Sequence, residues 1–304
     1  MTSTTQKLSK TIDAAIPVFI LLQTATVSIS IAVSSIMFVT WMVLWLVQVA
    51  FDRPKALSVF SLSDLRFINI FVVFYFTAEI ASRFFAVYPD GAFDNIKRLL
   101  LFSVFYGSVA KITGTVMISR MLTALVSIIA VISSIELITY AINFGEMISR
   151  IPFAEIRIDY FNYPLTIAEI KMMVLLSVIP LLLSTDGFPV RRSYMILMII
   201  PITVSMLLTQ SRNVYLAFFI CLLLYGIILN RKFLLVLITV LVAGILLLPS
   251  GMSERLKSIF DAEHPSNKSR IVMWETGWKM FLDHPVTGVA DNKILEIYSQ
   301  YKTP

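Results

Sequence analysis

From Ala14 to Ala50 the chain carries no charged side chain for 37 consecutive residues. A bilayer hydrocarbon core takes roughly 20 apolar residues per helix, so this run is nearly enough for two crossings. Thr24, Thr26, Ser28 and Ser30 form a polar waist within it, which predicts a short helix, a tight turn and a longer helix ending at Trp45; one tilted helix is the competing reading. Such a run has no place in a water-soluble domain. The whole sequence agrees, with 58% hydrophobic residues, 14% charged residues and a mean hydropathy of +0.84, where soluble domains hold about 25% charged residues.

Further apolar runs predict spans at about 67–87, 99–116, 121–142, 167–183, 194–208, 214–229 and 233–248, about nine in all. The last 55 residues, Ser250–Pro304, contain none. The expected fold is therefore an all-α, polytopic helical bundle over residues 1–249, followed by a loop domain over 250–304. The Lys and Arg residues of the short loops set the orientation. With the N-terminus in the cytoplasm, eleven basic residues fall inside, Lys111 among them, and six outside: Lys97, Arg98, Arg150, Arg157, Lys171 and Arg212. That bias places the 250–304 tail on the outer side, the periplasm of a bacterium, with the bundle in the inner membrane. Lys111, near an inner end, is expected to snorkel to the interface.

The segment Leu207–Phe219, LLTQSRNVYLAFF, places Arg212 between two spans with almost no loop to carry it into water. A cation held there needs a partner. Gln210 and Ser211 stand beside it. Glu79 and Arg83, four residues apart, share one helix face, and Glu136 lies deep in another span. Intramembrane charges face a bundle interior or a wet cavity. Two roles stay open for these three: a structural Glu79–Arg83 pair with Glu136 bonded to a neighbouring helix, or the lining of an outer cavity. Arg150, Arg157, Phe153, Tyr160, Phe161 and Tyr163 in loop 143–166 read as an interfacial belt or as one wall of that cavity.

In the tail, residues 269–282 read as an amphipathic surface helix. Ile271, Trp274, Trp278 and Phe281 recur at helical spacing, Ser266 or Asn267 is the expected cap, and Pro285 ends it. Arg270 is expected in the first turn, where backbone N–H groups already favour an anion. Cys221 is the only cysteine and His264 and His284 the only histidines. Their spacing offers no metal-ligand motif, and no phosphate-binding or dinucleotide glycine loop occurs. The basic residues are scattered, which argues against a nucleic-acid partner. No cofactor is expected.

Two segments taken together, TQSRNVYLAFFICLLL (Thr209–Leu224) and SRIVMWETGWKMFLDHPVTGV (Ser269–Val289), resemble the shared domain of bacterial O-antigen ligases and related polysaccharide polymerases. The resemblance implies a bundle of the glycosyltransferase C type. It implies transfer, without nucleotide or metal, of a glycan carried on undecaprenyl pyrophosphate to an acceptor such as lipid A-core, or to a growing polysaccharide. It also implies that Arg212 and Arg270 hold the pyrophosphate. The family's histidine base, in a later His-Asn-like motif, has no counterpart before Pro304. His284 matches a structural turn instead, and Val289-Ala290-Asp291 departs from the family's Gly-x-Gly. The chain thus reads as a truncated or partial member, expected to bind the carrier without catalysing transfer unaided. A transporter or lipid flippase using Glu79, Arg83 and Glu136 is the rival of another class.

Overall fold

The structure, a computed structural model, describes residues 3–27, 29–85, 87, 96–150, 156–158, 160, 164–183, 190–247, 263, 265–289 and 294–302. The described residues are helical and include no strand. In chain order the helices are α1 Ser3–Thr26, α2 Ile31–Phe51, α3 Arg53–Leu57, α4 Arg66–Phe85, α5 Phe102–Lys111, α6 Thr115–Arg150, α7 Pro164–Leu183, α8 Arg192–Leu208, α9 Arg212–Ile228, α10 Arg231–Leu247, α11 Pro265–Asp283 and α12 Ile294–Tyr301. Among the described residues five helices are long and apolar enough to cross a membrane, within α1, α2, α4, α6 and α7. This is a membrane protein. The expected count of nine is not reached by length, because the apolar helices α8 and α9 have 17 residues each and α5 is shorter still.

The long uncharged run breaks into two helices at its polar waist. Ser30 N–H donates to Thr26 O, and Ser34 Oγ reaches back 3.0 Å to Gln23 O. Helix α1 begins at Ser3, not near Ala14, and α2 runs on to Phe51 rather than stopping at Trp45. The expected 121–142 span is the middle of α6. This 36-residue helix is about 54 Å long at 1.5 Å per residue, well beyond the roughly 30 Å hydrocarbon core. It therefore takes up the first third of what reads in sequence as the 143–166 loop. Of that loop's aromatics, Phe153, Phe161 and Tyr163 lie outside the described residues.

The chain divides into two compact units. The first comprises residues 1–13, 42–111 and 260–304. Phe60 packs between Trp45 and Tyr106, with ring centroids 6.4 and 4.7 Å away, and Asn69 joins the Tyr106 hydroxyl (2.8 Å) to Phe60 O (3.1 Å). Lys111 does not snorkel. It is buried, paired with Asp13 at 2.6 Å and bonded to Gln48, which also donates to Asp13 at 2.8 Å. A cation kept out of water by its neighbours is stabilised here by a partly buried anion, the Asp13 side chain being 25% exposed. The second unit comprises residues 14–41 and 112–259. Its apolar core joins α6, α7, α8 and α9 through Val126, Ile129, Leu175, Ile202, Met206 and Val214.

Helices α9 and α10 approach closely at Gly226. A Cβ placed there would lie 2.8 Å from Leu234 Cβ and 3.0 Å from its Cα. Asn230 between them caps α10, its side-chain oxygen accepting from Lys232 N–H at 3.0 Å and Phe233 N–H at 3.2 Å. Gly226→Ala is therefore expected to push the pair apart and destabilise the protein by about 1–3 kcal/mol. The check is a lowered thermal unfolding midpoint in a fixed detergent, which Leu234→Ala should not restore because its own Cβ remains.

Candidate functional site

Three residues turn the chain from α8 into α9. Thr209 continues the helical conformation, Gln210 takes a left-handed one at φ +53, and Ser211 is extended. Thr209 N–H donates to Met206 O and Gln210 N–H to Leu207 O, each at 3.2 Å, so the last carbonyls of α8 are closed off. A helix end of this kind normally carries glycine, since a Cβ is strained at positive φ. Glutamine stands here because its side chain does what glycine cannot: its Nε2 donates to Ile156 O at 2.7 Å. Ile158 N–H donates to Leu208 O at 3.1 Å, and the Tyr215 hydroxyl bonds Leu207 O. The turn is thus pinned from the 156–158 segment and from α9. Thr209 and Gln210 are buried, and Ile156 and Ile158 pack with Tyr140 in a small core of their own.

Gln210→Ala keeps the backbone strain and leaves a buried carbonyl without its donor, an expected loss of about 1–3 kcal/mol. Faster hydrogen exchange at the Ile158 amide is the measurement that checks it.

Arg212 is the first residue of α9, half-buried, and no acidic residue occupies that first turn. The sequence reading put it in the connection. In the structure Arg212 stands at the N-terminal, positive-dipole end of a helix, which favours an anion. About one helical turn back along α8, some 6 Å by helix rise, sits Ser205. It belongs to a closed buried triangle: Lys171 Nζ bonds Glu136 Oε2 and donates to Ser205 Oγ at 2.7 Å, and Ser205 Oγ donates to the same carboxylate oxygen at 2.6 Å. Side-chain exposure is 2% for Lys171 and 1% for Glu136. Glu136 therefore takes the structural role, bonded to neighbouring helices. Lys171 is not an outer-loop residue but the eighth residue of α7, so it leaves the loop count.

In the first unit Glu79 is half-buried and lines a cleft with residues that follow α11. Arg83 lies on the same helix, with its side chain outside the described residues. Helix α11 opens at Pro265, whose fixed φ suits a first helical position, so Ser266 and Asn267 are inside the helix rather than capping it. Arg270 is consequently its sixth residue, exposed and beyond the first turn. Thr276 and Met280 are the buried side of this helix, while Trp274 is 82% and Trp278 60% exposed. The tryptophan stripe faces outward, and Trp278 stacks on Phe281 at 5.3 Å.

Residues 194–304 match the family model described as O-antigen ligase (Wzy_C). The matched stretch, under half of the chain, is similar to that family. Comparison with curated proteins and with solved structures gives no match. The matched stretch takes in nearly all of α8, the Thr209–Ser211 turn and everything after it, hence both Arg212 and Arg270. Glu79, Arg83, Glu136 and Lys171 lie before it. Sequence reasoning missed three residues or segments around the α8–α9 turn: Lys171, Ser205 and the Ile156–Ile158 brace. A lysine four residues into an apolar run, facing a glutamate in another such run, was the one available signal for the first. The other two are a serine and two isoleucines, which look like filler until the fold brings them to the turn.

Proposed function

We propose that the protein is a membrane glycosyltransferase of the O-antigen ligase or polymerase type, acting on a glycan linked to a polyprenyl pyrophosphate. The observation that carries this is Arg212, placed at the head of α9 inside the stretch similar to O-antigen ligases, on a turn braced by Gln210 and by the 156–158 segment. Displacing a pyrophosphate from the anomeric carbon builds negative charge on the leaving group. Fixed donors in a poorly solvated site stabilise that charge without reorganising. Arginine remains charged and binds phosphate with a two-pronged fork. In this reading Arg212 holds the diphosphate, and a base on the acceptor side takes the proton of the attacking hydroxyl. No metal is needed for the charge stabilisation.

The site faces the periplasm in this proposal, with the N-terminus in the cytoplasm. Ser82 Oγ donates to Thr287 O at 2.9 Å and Val87 N–H to Gly288 O at 3.4 Å. These bonds join the C-terminal end of α4 to the segment after α11, which supports an orientation with both on the periplasmic side. Ligase and polymerase differ only in the acceptor, and the matched stretch is equally compatible with both.

The test is incubation of the purified protein in lipid nanodiscs with an undecaprenyl-pyrophosphate oligosaccharide and lipid A-core. Glycan attached to lipid A-core is the expected product for a ligase, and lengthened lipid-linked glycan for a polymerase. If the protein neither binds the lipid-linked donor nor forms either product, the reading fails.

A further inference from the structure

Helix α11 has two opposite sides. Thr276 and Met280 are buried, and Gly277 and Met280 line one cleft together with Tyr75, Ala78 and Ser82 of α4. Ile271, Trp274, Trp278 and Leu282 are all exposed. At roughly 3.6 residues per turn, the centre of that apolar stripe lies about 180° around the helix from the midpoint of Thr276 and Met280. By the same count Arg270 borders the stripe on one side, and Lys279 borders it on the other, together with Glu275. Two outward tryptophans on one helix are too much apolar surface to leave in water without a reason.

What meets this stripe follows from where α11 is tied. Helix α4 carries an apolar span that ends at Ser82. Ser82 Oγ donates to Thr287 O at 2.9 Å, and Val87 N–H donates to Gly288 O at 3.4 Å. Thr287 comes only four residues after the end of α11. His284 N–H donates to Met280 O and Gly288 N–H to His284 O, each at 3.1 Å, so those four residues are wound tightly. Gly288 permits the winding at φ +69, a conformation that glycine accepts without strain. The cleft runs back along α4 from Ser82 to Tyr75. The C-terminal half of α11 therefore lies beside the last two turns of the span, at the level where a span leaves the hydrocarbon. The side turned away from α4 meets lipid there, and tryptophan is the residue that favours this boundary, with an apolar ring and a polar N–H.

We propose that α11 is an interfacial helix whose Ile271–Leu282 stripe docks into the phospholipid bilayer, lying in the membrane plane with its apolar side sunk about 5–10 Å into the boundary between headgroups and acyl chains. The partner is the lipid surface itself. Arg270 and Lys279, bordering the stripe, stand at the level of the lipid phosphates, which their charge complements. The inference is independent of the glycan-transfer reading, because it holds on whichever side of the membrane the end of α4 lies. Its consequence is that the cleft between α4 and α11 opens among lipid headgroups rather than in bulk water.

The experiment places a nitroxide on the full chain in phospholipid nanodiscs, in a Cys221→Ala background, at Trp274→Cys, Trp278→Cys or Lys279→Cys in turn. Collisions with oxygen, which concentrates in lipid, are compared with collisions with a water-soluble nickel chelate. The oxygen-to-nickel ratio at 274 and 278 is expected to exceed that at 279 by about threefold or more, since the stripe is in acyl chains and its border is in headgroups. Ratios equal to that at 279 overturn the proposal, because the stripe then faces water. Labels at 274 and 278 shielded from both reagents overturn it too, because a protein surface, such as a second copy of this chain, then covers the stripe. A second measurement leaves the tryptophans in place. Lipids brominated near the headgroup are expected to quench the unsubstituted protein about twofold more strongly than the Trp274→Phe, Trp278→Phe double variant, in which only the buried Trp41 and Trp45 remain. Equal quenching of the two proteins overturns the docking whatever the labelled variants show.

Discussion

Arg212→Ala is expected to weaken binding of a short-chain polyprenyl pyrophosphate by about a hundredfold, since each charge-assisted hydrogen bond contributes about 1.5–3 kcal/mol and arginine makes two in parallel to a phosphate. Arg212→Lys keeps the charge and the dipole end of α9 but loses the fork, so about a tenfold loss is expected. The fold should survive both, because Thr209, Gln210 and Tyr215 hold the turn that precedes Arg212. Titration into nanodiscs at fixed ionic strength measures both. An affinity within threefold of wild type for Arg212→Ala would remove Arg212 from the diphosphate site.

The largest effect on stability is expected at the buried triangle of Glu136, Lys171 and Ser205. Lys171→Met leaves a carboxylate 1% exposed with no cation beside it. Removing one partner of a buried pair costs about 3–5 kcal/mol, while replacing both by apolar residues of similar volume is often neutral or better. A fall in the thermal midpoint of about 5–10 °C is therefore expected for the single variant, and near-complete recovery for Glu136→Leu with Lys171→Met. The coupling between the two positions is what the double-mutant cycle reads. A double variant as unstable as the single one would show that the pair is not the unit that matters. Because Ser205 precedes Thr209 by one helical turn, the single variant should also weaken diphosphate binding, and the double variant should regain it.

The comparison of sequence with structure divides along the range of the interactions involved. The break between α1 and α2 was legible because Thr26 and Ser30 make their bonds within the turn itself. The α8–α9 turn was legible because two apolar runs meet there with only a few polar residues between. Lys111 and Lys171 were not. Each sits near an end of an apolar run, where a lysine ordinarily reaches for the interface, and each finds its anion far away in sequence, 98 residues off for Asp13 and 35 for Glu136. Helix α11 starts four residues before the expected 269, because Pro265 serves as its first helical residue. That shift moved Arg270 out of the first turn. The outward tryptophan stripe follows the predicted spacing, but Thr276 and Met280 form the packed side, which periodicity counted on tryptophans alone does not reveal.

The Asp13–Lys111 pair has a bearing on how the chain is made. At roughly 5–20 residues per second, the 98 residues between them take about 5–20 s to synthesise. Throughout that interval the ribosome has delivered the acid and not yet the base. The nascent first helix must keep Asp13 at the lipid headgroups until α5 emerges, so final seating of the N-terminus is a late event in biogenesis, timed by translation of a segment far downstream.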